Sequence, residues 1–271
     1  MENNLGFIGF GKMAGAICRG VINSGFINSE NIYAYDINTD SLKKNADETG
    51  INPVFDIKKL PEKVSNILIA TKPFVVDEVI NNIKDIVKDK LIISILAGIN
   101  IRTYEERLDG ARIIRVMPNT PAMVNEGMSV ICGGHKSDEN DVNFVVNMFS
   151  KLGRAIVLDE TLINAVTAVS GSGPAFYYYI IDKIAKSGVE LGLDYDTSLR
   201  LSAQTALGAA KMILQTETAP EELIRAVTTP NGTTAEGNRV LEESDIEKVL
   251  FNTIEKTYKR AVELGKVEQN K

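Results

Sequence analysis

Hydrophobic and polar positions change rhythm once along the chain, near Leu158. Before that point, short apolar runs alternate with amphipathic stretches. The runs Leu5–Gly9, Ile32–Asp36, Ile67–Thr71, Leu91–Ile95, Ile113–Val116, Met128–Cys132 and Ala155–Leu158 have the length and composition of strands. Between them, Lys12–Ser24, Thr39–Thr49, Val75–Val87 and Asp138–Leu152 show helical apolar spacing. Strand and helix repeated in this way predict a mostly parallel sheet with helices on both faces. Leu91–Ile95 is apolar at successive positions, as a central parallel strand covered on both faces requires. From Thr161 onward no strand pattern recurs. Helical patterns run through Pro174–Leu191, Asp194–Gln215, Pro220–Val227, Thr234–Glu243 and Asp245–Leu264. Small residues crowd Ser202–Ala210, which predicts close approach of helix axes, either inside the domain or against a partner chain. The expected division is residues 1–159, α/β, and residues 160–271, all-helical. The polar tail Val267–Lys271 is expected to fray.

Composition narrows the class. A chain of 271 residues, 44 % hydrophobic and 24 % charged, is long enough for two domains with cores of their own. A formal net charge of −6 argues against wrapping nucleic acid. No apolar run approaches the roughly 20 residues that span a bilayer. Met1–Leu5 lacks the basic patch and apolar stretch of a secretion signal. The two cysteines, Cys18 and Cys132, sit far apart in apolar surroundings and read as buried thiols in a reducing compartment. A cytoplasmic location is expected.

The first strand leads into Gly9-Phe10-Gly11-Lys12-Met13-Ala14, which opens the first helix. Gly9 permits a tight turn, Gly11 lets backbone approach a pyrophosphate, and Ala14 is small enough for helix–strand packing. Asp36 ends the second strand at the spacing of the acidic residue that accepts from ribose hydroxyls. Together these features identify a Rossmann-type dinucleotide-binding domain. The Asp36 carboxylate would repel the 2′-phosphate of NADP, and no Arg follows it, so NADH is favoured over NADPH. Asp36 starting a turn is the structural alternative. Further cofactor contacts are expected at the ends of later strands, at Ala70-Thr71-Lys72-Pro73, at Ala97-Gly98 and at Asn119, whose amide suits that of nicotinamide. Each of these is also a turn after a strand.

The roster of catalytic groups is otherwise nearly empty. His135 is the only histidine and reads as a surface turn residue; no zinc-like set is present, and no metal site is expected. No Gly-x-Ser-x-Gly elbow exists. A dinucleotide enzyme needs none of these, because the cofactor brings the hydride. Two Gly-containing turns stand out in the second half. Ser170-Gly171-Ser172-Gly173-Pro174-Ala175 breaks two helices, with Ser172 a candidate cap, and is either an elbow or a backbone wall against a small ligand. Thr228-Thr-Pro-Asn-Gly-Thr-Thr-Ala-Glu-Gly237 ends where a helix begins, so it is either a capped turn or a receptor for a carboxylate or phosphate.

With Gly6–Gly11, Thr71-Lys72-Pro73, Pro118-Asn-Thr-Pro121, Ala165–Ala175 and Val227–Thr234 taken together, the chain resembles the pyrroline-5-carboxylate reductase family along its full length. The resemblance implies an N-terminal Rossmann domain followed by a helical dimerisation domain, a homodimer that assembles into larger rings of dimers, and an active site between the domains. It implies NAD(P)H-dependent reduction of pyrroline-5-carboxylate to L-proline, the last step of proline biosynthesis. It also implies that Thr229, Gly232, Thr233 and Thr234 cradle the substrate carboxylate, that Thr234 reaches the ring nitrogen, and that Glu160 lies near the substrate. The sequence departs from the family at Asn231, usually glycine, at Arg225-Ala226, at Asn238, usually aliphatic, and at Asp36. Three alternatives follow: a paralogue reducing a related cyclic imino acid, a 3-hydroxyacid dehydrogenase, and a non-catalytic dinucleotide-binding protein.

Overall fold

Short buried strands and the helices that cover them build the first half of the chain. The structure, a computed structural model, describes residues 4–269, with side chains through residue 265. Residues 1–3, part of the Met1–Leu5 stretch read as lacking a secretion signal, lie outside the described residues. The strands are β1 (Leu5–Ile8), β2 (Ile32–Tyr35), β3 (Asn52–Pro53), β4 (Asn66–Ile69), β5 (Leu91–Ser94), β6 (Arg112–Met117), β7 (Gly127–Gly133) and β8 (Gly153–Val157). They form one sheet in the order β3-β2-β1-β4-β5-β6-β7-β8. Every pairing is parallel except β6 with β7. The loop from Pro118 to Glu126 is too short for a crossover, which takes a dozen residues or more, so β7 must return antiparallel.

Alternation along each strand feeds two cores. Leu5, Phe7, Leu68, Ile93, Ile114 and Val116 face one layer; Ile8, Ile67, Ile69, Ile92 and Ile113 face the other. The first layer is closed by α1 (Lys12–Asn23), α2 (Thr39–Thr49) and, further along, α5 (Glu139–Phe149); the second is closed by α3 (Val76–Ile83) and α4 (Ile101–Glu105). Local signals set the ends of these helices. The Asn38 side chain accepts from Ser41 N–H at the start of α2, and Gly50, at φ +74°, ends it. Asp138 and Asp141 form a reciprocal capping box on α5.

After β8 come α6 (Ile163–Val166), a π-helical turn at Thr167–Gly171, α7 (Gly173–Glu190), α8 (Tyr195–Thr216), α9 (Pro220–Val227), α10 (Thr233–Glu242) and α11 (Ile246–Gln269). The expected glycine-rich break shrinks to a bend at Ser172. That residue keeps helical dihedrals, φ −88° and ψ −19°, and its N–H donates to Thr167 O. α11 carries helix into the tail expected to fray; the tail's side chains and residues 270–271 lie outside the described residues.

Contacts divide the chain into two compact units, one running to Ser172 and resuming at Thr257, the other Gly173–Lys256. The sheet ends at Val157, close to Asp159, where the sequence places the boundary. Contacts carry the first unit further because Ile163 is buried in the second core layer. Within the other unit, α7 and α8 pack as a hairpin, with Ser198 Oγ donating to Ala185 O at 2.7 Å. The Ser202–Ala210 stretch is not interior to this unit. Only Ser198 and Ser202 of α8 are buried, and Tyr177, Leu201, Phe251 and Val249 are more than half exposed. So much open apolar surface marks an interaction face.

Candidate functional site

The first unit holds a cavity of about 1030 Å³ at the carboxyl ends of β1, β2, β4 and β5. It lies where strand order reverses about β1, the place at which doubly wound sheets bind ligands. Of the residues expected to hold the cofactor, Gly9, Gly11, Lys12, Met13, Asp36, Ala70, Thr71, Lys72 and Ala97 line it. Gly9 has φ +88°, and a Cβ there would lie 2.9 Å from the Ala70 backbone. At Gly11 a Cβ would meet nothing within 4 Å, so the space above it is open for a ligand. α1 begins there with no side-chain cap and no acidic residue in its first turn. Its free N–H groups and positive dipole end therefore face the cavity side of the turn, as a pyrophosphate needs.

Asp36 joins the glycine turn to the end of β2. Its Oδ2 accepts from Phe10 N–H at 2.6 Å and its Oδ1 from Asn38 N–H at 2.8 Å. Each carboxylate oxygen keeps a lone pair, so the group still has capacity for ribose hydroxyls. The turn-starting and ribose-binding readings of Asp36 are thus compatible. The surroundings are acidic: burial first, then the carboxylates of Glu78, Asp36 and Asp56, hold the Tyr35 phenol above its ordinary pKa.

Four expected cofactor residues are not among those lining the cavity. The Phe10 ring is buried edge-on against Phe7 at 5.3 Å, so only its backbone reaches the turn. Pro73 opens a 3₁₀ turn and does not line the cavity. Gly98, at φ +82°, faces the backbone of Leu264 and Gly265. Asn119 has both functions of its amide engaged by the fold, with Nδ2 donating to Ser170 O at 3.1 Å and Oδ1 accepting from Met128 N–H at 2.9 Å. Sequence reasoning missed Ile37, Ile57, Phe74, Glu78 and Asn82, which also line the cavity. Ile37 is 86 % and Phe74 71 % exposed, and a large apolar residue just past a strand end was the available signal.

Glu160 lies in the first unit. Its Oε1 accepts from Ile101 N–H at 2.9 Å and from Arg115 Nη1 at 2.8 Å. Glu160 and Arg115 line a smaller cavity of about 210 Å³ with Gly98, Asn100 and Gly265.

Thr229, Gly232, Thr233 and Thr234 come together in the second unit. Gly232 N–H donates to Thr229 O at 3.0 Å, closing a turn with Pro230 and Asn231 at its centre. Asn231 has φ +60°. Proline followed by a left-handed residue is the type II pattern, which selects glycine or, next best, asparagine. That accounts for Asn231 at a glycine position. A Cβ on Gly232 would collide with Thr229 Oγ1. Gly232 caps α10 through backbone alone, so Thr233 and Thr234 open the helix with unclaimed N–H groups.

No thiol or imidazole competes for the chemistry. Burial pushes Cys18 up to about 12 and Cys132 to about 11. His135 is a surface residue whose Nδ1 lies 3.0 Å from Glu105 Oε2. Among the described residues, no helix is long and apolar enough to cross a membrane.

Comparison with known proteins agrees with this geometry. Residues 160–264 match the family described as pyrroline-5-carboxylate reductase dimerisation, and residues 4–98 match NADP oxidoreductase coenzyme F420-dependent. The chain is 41 % identical to the pyrroline-5-carboxylate reductase of Methanosarcina acetivorans, over 98 % of this chain and 100 % of that protein. It is 35 % identical to the Escherichia coli enzyme of that name, over 98 % and 100 %. A Coxiella burnetii pyrroline-5-carboxylate reductase superposes with a TM-score of 0.93 at 30 % identity, covering 97 % of this chain and 99 % of that one. A Plasmodium falciparum pyrroline carboxylate reductase with NADP bound gives 0.87 at 32 %, covering 98 % and 99 %.

Proposed function

The chain belongs to the pyrroline-5-carboxylate reductase family, and from that premise we propose that it reduces L-1-pyrroline-5-carboxylate to L-proline, closing proline biosynthesis. The observation that carries the reading is the likeness over nearly the whole chain to relatives of that name. The built dinucleotide cavity and the uncapped start of α10 fit it.

The reaction adds a hydride to the carbon and a proton to the nitrogen of a C=N bond. The bound dinucleotide supplies the hydride. The chain supplies position and charge. Gly9, Gly11 and the start of α1 receive the pyrophosphate, and Asp36 receives the adenosine ribose. The Thr229–Thr234 turn receives the substrate carboxylate on backbone N–H groups and hydroxyls. Thr234 orients the ring nitrogen. A threonine hydroxyl is too weak an acid to protonate the imine near neutral pH, so that proton comes from solvent. Holding the carboxylate end fixed makes orientation the chain's main contribution to rate.

Between the reduced nicotinamides, NADH is the preferred donor. Asp36 and Glu78 make the far end of the cavity acidic, and the cavity's lysines, Lys12 and Lys72, stand on the turns after β1 and β4 rather than after β2. The protein acts as a homodimer, with the exposed apolar faces of α7, α8 and α11 as its contact surface, and the dimers join into rings. Two buried, unbridged cysteines suit the cytoplasm.

The test is a turnover assay of the purified chain with pyrroline-5-carboxylate and NADH or NADPH. Imino-acid-dependent oxidation with proline as product is expected, faster with NADH. No oxidation with either donor refutes the reading.

A further inference from the structure

Resting on the reading that the Thr229–Thr234 turn receives a carboxylate, we infer that Asn238 is a positioning residue for substrate binding, acting through Thr228. Asn238 Nδ2 donates to Thr228 Oγ1 at 3.0 Å, and Thr228 Oγ1 donates to Ile224 O at 2.6 Å. The hydroxyl has one proton, and Ile224 takes it. The Asn238 amide therefore meets an oxygen that only accepts, the role left open to it.

This relay connects three places around the turn. Ile224 is in the last turns of α9, Thr228 is where the chain leaves that helix in extended conformation (φ −104°, ψ 104°), and Asn238 is in the second turn of α10. Asn238 follows Thr234 by four positions, so both lie on one face of α10. The turn has modest support of its own. One backbone bond, Gly232 N–H to Thr229 O, closes it, and its left-handed corner at Asn231 is exposed. The direction of the Thr233 and Thr234 N–H groups depends on how the turn enters α10. The strut fixes that entry from outside the turn without touching the substrate. An aliphatic residue at position 238 has no donor and cannot do this.

Three single variants and one double variant test it. Asn238→Leu and Thr228→Val each break the strut; Thr228→Ser keeps the hydroxyl. The expected result is a rise in KM for pyrroline-5-carboxylate of roughly fivefold in each breaking variant, the equivalent of one ordinary hydrogen bond. KM for the dinucleotide and kcat stay within about twofold, Thr228→Ser matches the parent, and the double variant is no worse than either single one. Amide hydrogen exchange on the same proteins reads the turn without any substrate: Gly232 N–H exchanges faster in Asn238→Leu and Thr228→Val but not in Thr228→Ser. Unchanged Gly232 exchange in the breaking variants overturns the inference, and so does an equal fall of kcat with a rise of both KM values. A parent protein that shows no imino-acid-dependent turnover refutes the functional reading instead, and the exchange measurement still decides the strut.

Discussion

If Asp36 receives the adenosine ribose as proposed, replacing it with alanine should separate the two reduced nicotinamides. In NADH the adenosine ribose offers hydroxyls to a carboxylate whose oxygens already hold Phe10 N–H at 2.6 Å and Asn38 N–H at 2.8 Å. Hydrogen bonds to an ionised group contribute about 1.5–3 kcal/mol each, so removing the carboxylate weakens NADH use by at least about 2 kcal/mol. For NADPH the sign is opposite. A phosphate in place of the 2′-hydroxyl meets a like charge, and two unit charges about 4 Å apart repel by up to about 4 kcal/mol at an effective dielectric of 20. Solvent and salt reduce that figure at a half-open site, so about 1 kcal/mol of relief is a conservative value. The substitution also orphans Phe10 N–H, loosening the glycine turn, but that loss applies to both donors and cancels in their ratio. The ratio of kcat/KM for NADH over NADPH should thus fall by about 3 kcal/mol, or roughly a hundredfold, on Asp36→Ala. Asp36→Asn removes the charge, keeps an acceptor for Phe10 N–H, and should give most of the same shift. The assay is steady-state kinetics with each donor at saturating imino acid. An unchanged ratio in both variants refutes the ribose assignment.

Four further outcomes follow from geometry. Gly9→Ala places a Cβ 2.9 Å from the Ala70 backbone at φ +88°, and should destabilise the protein by at least about 2 kcal/mol in urea unfolding; Gly11→Ala, with open space around its Cβ, should leave stability unchanged while weakening dinucleotide binding at least about tenfold by titration. Arg115→Met strands Glu160, whose side chain keeps 28 % exposure, so unfolding should lose about 3 kcal/mol, the low end for a broken buried pair. Glu160→Gln strands the deeper Arg115, at 5 % exposure, and should cost at least as much; near-neutral values for both would show that the pair contributes nothing to the fold.

Much of the fold was legible because its central strands are buried. β5 is apolar on both faces, and Leu91–Ser94 is fully covered in the structure. β3 was not legible: a strand of Asn52 and Pro53 at the sheet edge has neither apolar pattern nor length. α4 escaped for the same reason, being five residues long. Within the candidate site, residues set by a conformational need were legible as turns, as with Gly9 at φ +88° and the Thr229–Gly232 turn. Residues that act through what they touch were not. Asn119 offers an amide in the expected loop, and the partners that hold it there, Ser170 O and Met128 N–H, come from remote segments that one sequence does not bring together. Phe74 and Ile37 look like stray apolar residues until the structure shows both lining one cavity.

The first unit is discontinuous in sequence: it stops at Ser172 and resumes at Thr257, inside α11. On a ribosome, this fixes an order of events. The sheet can pair as soon as β8 emerges, but the closing piece of the same unit follows only after residues 173–256 have been made. At roughly 5–20 residues per second, that interval is about 4–17 s. Throughout it, the backbone of Gly98 stays without Leu264 and Gly265, the neighbours it meets in the finished chain. The nascent first unit thus has an open flank for seconds, and its final closure cannot precede the synthesis of its last helical segment.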